Sequence, residues 1–178
     1  HLGYAAGGEI VRGNFFVRPS YVAFYDADDV SLSAGSVTEV QFGTTATRVS
    51  SPNDEGVFAT SGHGITVSAG FACEISASAY FQAVTGDHHV GQMWVYIDGG
   101  SGSVKHTSSA AATYIFNGSG TDRCCGSTHT TYIHQAHTES VVTMGASTSL
   151  GPDDLLLRGV GTNLIVKSLG QFTTTAGS

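Results

Sequence analysis

Phe71-Ala-Cys-Glu-Ile-Ser-Ala-Ser-Ala-Tyr-Phe-Gln-Ala83 is the stretch that decides the fold class. Phe71, Cys73, Ile75, Ala77, Ala79 and Phe81 recur at every second position, with Glu74, Ser76, Ser78, Tyr80 and Gln82 between them. A period of two is the side-chain repeat of an extended strand, so one face is buried and the other meets something more polar. Upstream, Tyr21-Val-Ala-Phe-Tyr25 reads as a first strand, closed by Asp26-Ala-Asp-Asp29. Val37 to Phe42 reads as a second. After the turn-rich Ser50-Ser-Pro-Asn-Asp-Glu-Gly56 come Val57 to Thr60 and Ile65 to Ser68. Downstream, Val90 to Asp98 runs into Asp98-Gly-Gly-Ser-Gly102, a strong turn signal. Thr113 to Phe116, Thr130 to Ala136, Val141 to Met144, Leu155 to Arg158 and Asn163 to Leu169 complete an all-β reading.

Composition points the same way. The 178 residues include 24 Gly, 21 Ser and 20 Thr, which helix bundles avoid and turn-rich β domains favour. Nine Phe and seven Tyr, with recurrent Val, Ile and Leu, supply enough burial to offset chain entropy, so a disordered polar chain is excluded. The formal net charge is −7 and only two residues are lysine, with no basic cluster to attract phosphate, which excludes a nucleic-acid partner. No stretch is apolar for long enough to insert in a membrane as a helix. Residues 1–20 differ from the rest. They are Gly-rich and lack periodicity, and they carry Phe15-Phe16-Val17 just before Pro19. They read as an extended arm that docks on its own domain or on a neighbour, ahead of a domain spanning 21–178.

Strand parity exposes a second burial surface. Met93, Val95 and Ile97 form one face of their strand, but Gln92, Trp94 and Tyr96 make the opposite face aromatic. In the last strand Leu164 and Val166 lie on one face, Ile165 and Leu169 on the other. A sandwich has one interior, so apolar groups on outward faces mark either contact between subunits or cover by a loop or the arm. The first alternative makes Tyr80, Trp94, Tyr96, Ile165 and Leu169 interface residues.

Sites for chemistry are sparse in the sequence. Cys73, Cys124 and Cys125 form no disulfide framework, and free thiols are expected, although a bridge from Cys73 to the adjacent pair stays open. His129 and His137 share a face if their segment is extended, which makes them weak metal candidates; no metal or cofactor is expected. Asp26, Asp28 and Asp29 lack the glycine spacing of a calcium loop and read as a turn. No nucleophile elbow or HExxH appears, and the adjacent carboxylates Asp153 and Asp154 point to opposite faces if extended. An enzyme is not expected.

Several motifs, in order, resemble those of C1q/TNF-like jelly rolls. These are Pro19-Ser-Tyr-Val-Ala-Phe-Tyr25, Gly64-Ile-Thr-Val-Ser68, Gly70-Phe-Ala-Cys-Glu-Ile-Ser-Ala-Ser-Ala-Tyr80, Met93-Trp-Val-Tyr-Ile-Asp-Gly99, Leu150-Gly-Pro-Asp-Asp-Leu-Leu-Leu157 and Gly161-Thr-Asn-Leu-Ile-Val-Lys-Ser-Leu169. Pro152 departs from the usual turn, and Gly99 to His137 is longer than the family pattern. The resemblance implies a ten-strand jelly-roll sandwich that assembles as a homotrimer and binds or scaffolds without catalysis. The Gly-, Ser- and Thr-rich, Lys-poor composition is similar to the family's bacterial spore-surface and tailed-phage members. A 20-residue arm plus one head then implies a phage capsid decoration (cement) protein on the virion surface, or otherwise an extracellular protein. Its partners would be the major capsid protein or other virion subunits, with Phe15, Phe16 and Val17 docking on the shell. The alternatives are a receptor-binding tip of a phage fibre or spike and, from His1 at the first position, a secreted copper enzyme.

Overall fold

In the computed structural model, residues 3–4, 10–11, 20–43, 46–50, 56–84, 88–105, 109–116, 125–148 and 155–172 are described. The strands are β1 (Gly3–Tyr4), β2 (Ile10–Val11), β3 (Tyr21–Tyr25), β4 (Val30–Leu32), β5 (Thr38–Glu39), β6 (Thr47–Ser50), β7 (Phe58–Ser61) and β8 (Gly64–Val67). They continue with β9 (Phe71–Ala83), β10 (His88–Asp98), β11 (Ser103–Lys105), β12 (Ala111–Phe116), β13 (Cys125–Gln135), β14 (Ser140–Thr148) and β15 (Leu155–Gln171). Two antiparallel sheets pack face to face. One runs β13-β9-β15-β3-β6, with β4 also paired to β15. The other runs β11-β10-β14-β8-β7, with β12 beside β10 and β5 beside β14. Neighbours in each sheet are mostly distant in sequence, so the chain crosses repeatedly between sheets as a jelly roll does.

The alternation in β9 is reproduced residue by residue. Phe71, Cys73, Ile75, Ala77, Ala79, Phe81 and Ala83 are buried, and the residues between them are half-buried. Met93, Val95 and Ile97 of β10 meet them from the opposing sheet, with Met144 of β14 and Leu155, Leu157, Leu164 and Val166 of β15 in the same core. Each large side chain so buried contributes about 1.5–3 kcal/mol of transfer free energy. Phe24 and Phe42 add a tilted ring pair 5.4 Å apart, and the Arg48 guanidinium lies 4.9 Å above the Phe24 ring. The expected turn after β10 is present, with the Asp98 carboxylate accepting hydrogen bonds from the amides of Gly100 and Gly102 at 2.8 and 3.1 Å.

Three expectations change. The strand expected over Val37–Phe42 is a strand only over Thr38–Glu39: the Val40 amide still donates to the Met144 carbonyl of β14 at 2.9 Å, but the Gln41 carbonyl then accepts from the Asp28 amide at 2.8 Å, and Val40 and Phe42 are buried in the core. Strands β4, β6 and β11 were not foreseen. The expected arm fits: its Gly3–Tyr4 and Ile10–Val11 pair with one another in a sheet separate from the sandwich, and its other residues up to Pro19 lie outside the described set. Finally, the segments expected at Leu155–Arg158 and Asn163–Leu169 are one strand, carried through an irregularity in its pairing with β9 between Arg158 and Asn163.

Side chains hold that irregularity in place. The Asp29 carboxylate accepts from the Gly159 amide at 2.6 Å and pairs with the Arg158 guanidinium at 2.9 Å. Thr162 donates its hydroxyl hydrogen to the Arg158 carbonyl at 2.6 Å, and its oxygen accepts from the Tyr80 amide at 3.1 Å. The hydroxyl thus replaces a ladder carbonyl that the bulge has moved away. Gly159 lies so close to the β3–β4 turn that a Cβ there would stand 1.7 Å from the Ala27 carbonyl oxygen. Gly159→Ala therefore has to displace backbone, and it should lower unfolding free energy by at least about 3 kcal/mol in urea titrations.

Candidate assembly surfaces

The two outward faces of the sandwich differ in chemistry. On the β13-β9-β15-β3-β6 sheet, cross-strand register lines the side chains into rows. Thr131, Ser76, Ile165, Ala23 and Val49 form one row, and Ile133, Glu74, Lys167 and Tyr21 form the next. His129, Ser78 and Asn163 form a third, and Ser127, Tyr80 and Arg158 a fourth. The face is mostly small hydroxyls with apolar groups between them. Ile133 is 53% exposed and Val49 38%, on strands where solvent-facing side chains are ordinarily polar.

The expected interface residues divide between the two faces. Tyr80 and Ile165 lie on this face, and Leu169 lies at its end, opposite the register shift between Ser168 and Gly170, 51% exposed. Trp94 and Tyr96 belong to β10 and therefore project from the other side of the molecule. The five residues do not form one patch. Trp94 corrects the expectation further, because only 8% of it is exposed in the single chain. Parity identified its outward face correctly, but it is the chain itself that covers the indole. The groups that sequence reasoning missed are Ile133 and Val49. Ile133 was hidden among Thr130, Thr131, Tyr132 and His134, which read as a polar strand.

On the second outward face, β8 accompanies β14 as far as Ile65–Val142, and β5 takes over at Glu39–Gly145. The Val40 amide already donates to the Met144 carbonyl at 2.9 Å, so Thr143 falls between the two, and a cleft opens there, lined by Val37, Glu39, Tyr96, Thr143, Met144 and Gly145. Tyr96 and Val37 close over Gly145, where a Cβ would meet the Tyr96 ring at 2.5 Å and Val37 at 2.8 Å. Burial raises the Tyr96 phenol above its usual range; like any phenol it is protonated at neutral pH and both donates and accepts hydrogen bonds.

The other candidates are dispersed. His129 is exposed, with its Nε2 3.2 Å from the Thr131 hydroxyl, whereas His137 lies beyond the end of β13 and packs edge-on against Phe172 at 5.0 Å. The shared face expected for these two histidines is lost because β13 ends at Gln135 and Ala136 turns into the core. Among the described residues no three His, Cys, Asp or Glu side chains group as metal ligands. Asp29 is engaged with Arg158 and Gly159, which accounts for it as a turn clamp. Cys73 is a buried free thiol, and Cys125 is exposed. His1, Phe15, Phe16, Val17, Cys124, Asp153 and Asp154 lie outside the described residues.

No family model and no curated protein matches the chain. Solved structures do. Murine APRIL at pH 8.5 aligns with a TM-score of 0.57 at 15% identity, over 85% of this chain and 100% of that one. Murine APRIL at pH 5.0 gives 0.55 at 18%, with the same coverage. The Eiger TNF of S. frugiperda gives 0.55 at 10%, over 90% of this chain and 99% of that one. The chain therefore has a TNF-like jelly-roll fold, as the motif resemblance implied.

Two measurements follow from these placements. Trp94→Ala should destabilise the chain by about 3 kcal/mol, as removal of a buried aromatic does, and leave its native mass unchanged. Burial also pushes the Cys73 thiol from 9.0 up to about 12. A raised native value means that its stabilising contribution is complete below pH 9 and is lost as pH rises towards 12. Unfolding free energy should fall over that window by more in the wild type than in Cys73→Ala.

Proposed function

We propose that the protein is a non-catalytic, homotrimeric structural subunit of a virion surface, with decoration of a phage head as its role. The observation that carries this reading is the outward face of the β13-β9-β15-β3-β6 sheet. Its exposed Ile133 and Val49, half-buried Ile165 and small Ser76, Ser78 and Thr131 suit close packing against another copy. Small side chains let sheets approach closely, and isoleucine and valine supply the apolar area. The sequence resemblance implies the three-fold stoichiometry. The Gly-, Ser- and Thr-rich, Lys-poor composition supports the virion setting, and with a net charge of −7 the contacts would be mainly apolar and hydrogen-bonded.

Cementing is stabilisation by added buried area: a trimer base and an arm that bridge adjacent shell subunits make their separation cost more. Phe15, Phe16 and Val17 are the apolar groups assigned to that contact. The test is a variant lacking residues 1–18, mixed with undecorated heads and sedimented. The truncated protein should remain a soluble trimer that no longer co-sediments with the shells. Full shell binding by the truncated chain contradicts the assignment. Binding of the intact chain to host cells and not to heads places it at a fibre or spike tip instead.

A further inference from the structure

We propose that the cleft beside Tyr96 is a binding site for a neutral sugar, holding one pyranose ring against the tyrosine. The cleft is a built feature of the second sheet, created where β8 hands over to β5 along β14 and leaves Thr143 between them, Met144 being paired already with Val40. Its volume is about 270 Å³, below the roughly 300–1,000 Å³ of sites for drug-sized ligands, which suits a single ring. Gly145 lets Tyr96 and Val37 settle onto the sheet, so the ring is seated against the strand with part of its surface open to solvent.

The lining chemistry selects the ligand. A pyranose presents a flank of C–H groups, which an aromatic ring accepts, and a rim of hydroxyls that each donate and accept. The phenol of Tyr96 and the hydroxyl of Thr143 match those hydroxyls, and the exposed Glu39 carboxylate is a strong acceptor for them. Among the described lining residues Glu39 alone is charged, and it repels phosphates and carboxylates. One aromatic ring is too little for the multi-ring cage that a quaternary ammonium prefers. A fatty chain would form no hydrogen bond with Thr143 or Glu39 and so draws nothing from the polar half of the lining. The cleft also lies on the sheet opposite the proposed trimer face, so assembly leaves it open. The inference does not rest on the virion assignment, and it is tested on the isolated protein.

Trp94, the single tryptophan of the chain, lies opposite Gly145 in the β10–β14 register and gives a local optical signal. D-glucose, D-galactose and N-acetyl-D-glucosamine are titrated separately into the full-length protein, with choline chloride and sodium phosphate as competing ligand types. Binding is read from Trp94 emission and from the amide resonances of Thr143 and Gly145. At least one sugar should bind with a dissociation constant on the order of 1 mM, the range open to a ligand of this size. Tyr96→Ala should weaken it by about tenfold through loss of the stacking surface. Glu39→Gln, an exposed substitution that leaves the core untouched, should weaken it by about threefold. No response to any of the three sugars, equal affinity in wild type and both variants, or tighter binding of choline or phosphate would overturn the proposal.

Discussion

β9 bonds along both of its edges at once, to β13 on one side and to β15 on the other, and the two faces of the resulting sheet have different jobs. Inward, Phe71 to Ala83 supply alternate buried side chains that Met93, Val95 and Ile97 cover from the opposing sheet. Outward, Glu74 to Gln82 share their surface with β13 and β15. Because the side-chain period is two, a slip of one residue in either ladder would exchange these faces and place Ile75 and Phe81 in water. Register along β9 therefore fixes both the core and whatever packs on the outside.

The bulge in β15 is where that register is protected. Residues 159–162 interrupt a pairing that resumes at Asn163 with the correct face inward, so Leu155 and Leu157 share the core with Leu164 and Val166. Asp29 and Thr162 occupy the backbone groups that the interruption would leave without partners, and Gly159 admits the turn before β4. An unsatisfied buried amide costs about 1–3 kcal/mol, comparable to one good core residue, so these polar contacts matter as much as the packing around them.

Legibility in the sequence followed the range of the interactions involved. The β9 strand and the turn after β10 could be read directly, since alternation and the Asp98-Gly-Gly pattern are local signals. The continuity of β15 could not. Gly159-Val-Gly161 looks like a break, and the groups that span it include Asp29, far away in sequence. Val37 to Phe42 misled for the same reason: the ladder with β14 reaches Val40, and the Gln41 carbonyl then takes the Asp28 amide, a partner outside that ladder of which local parity carries no sign. Parity placed Trp94 on the outward face, yet parity carries no information on whether the same chain covers it. Tyr80 and Ile165 kept the placement expected of them, and Ile133 escaped notice because its neighbours are threonine and histidine.

The central claim is that the outward face of the β13-β9-β15-β3-β6 sheet is buried between copies of this chain. Its most direct test is the native mass by light scattering at low micromolar concentration, for the wild type and for Ile165→Asp, whose carboxylate would fall in the middle of that face. The account predicts a trimer that the substitution dissociates into folded monomers. A monomeric wild type, or a trimer indifferent to Ile165→Asp, would contradict it.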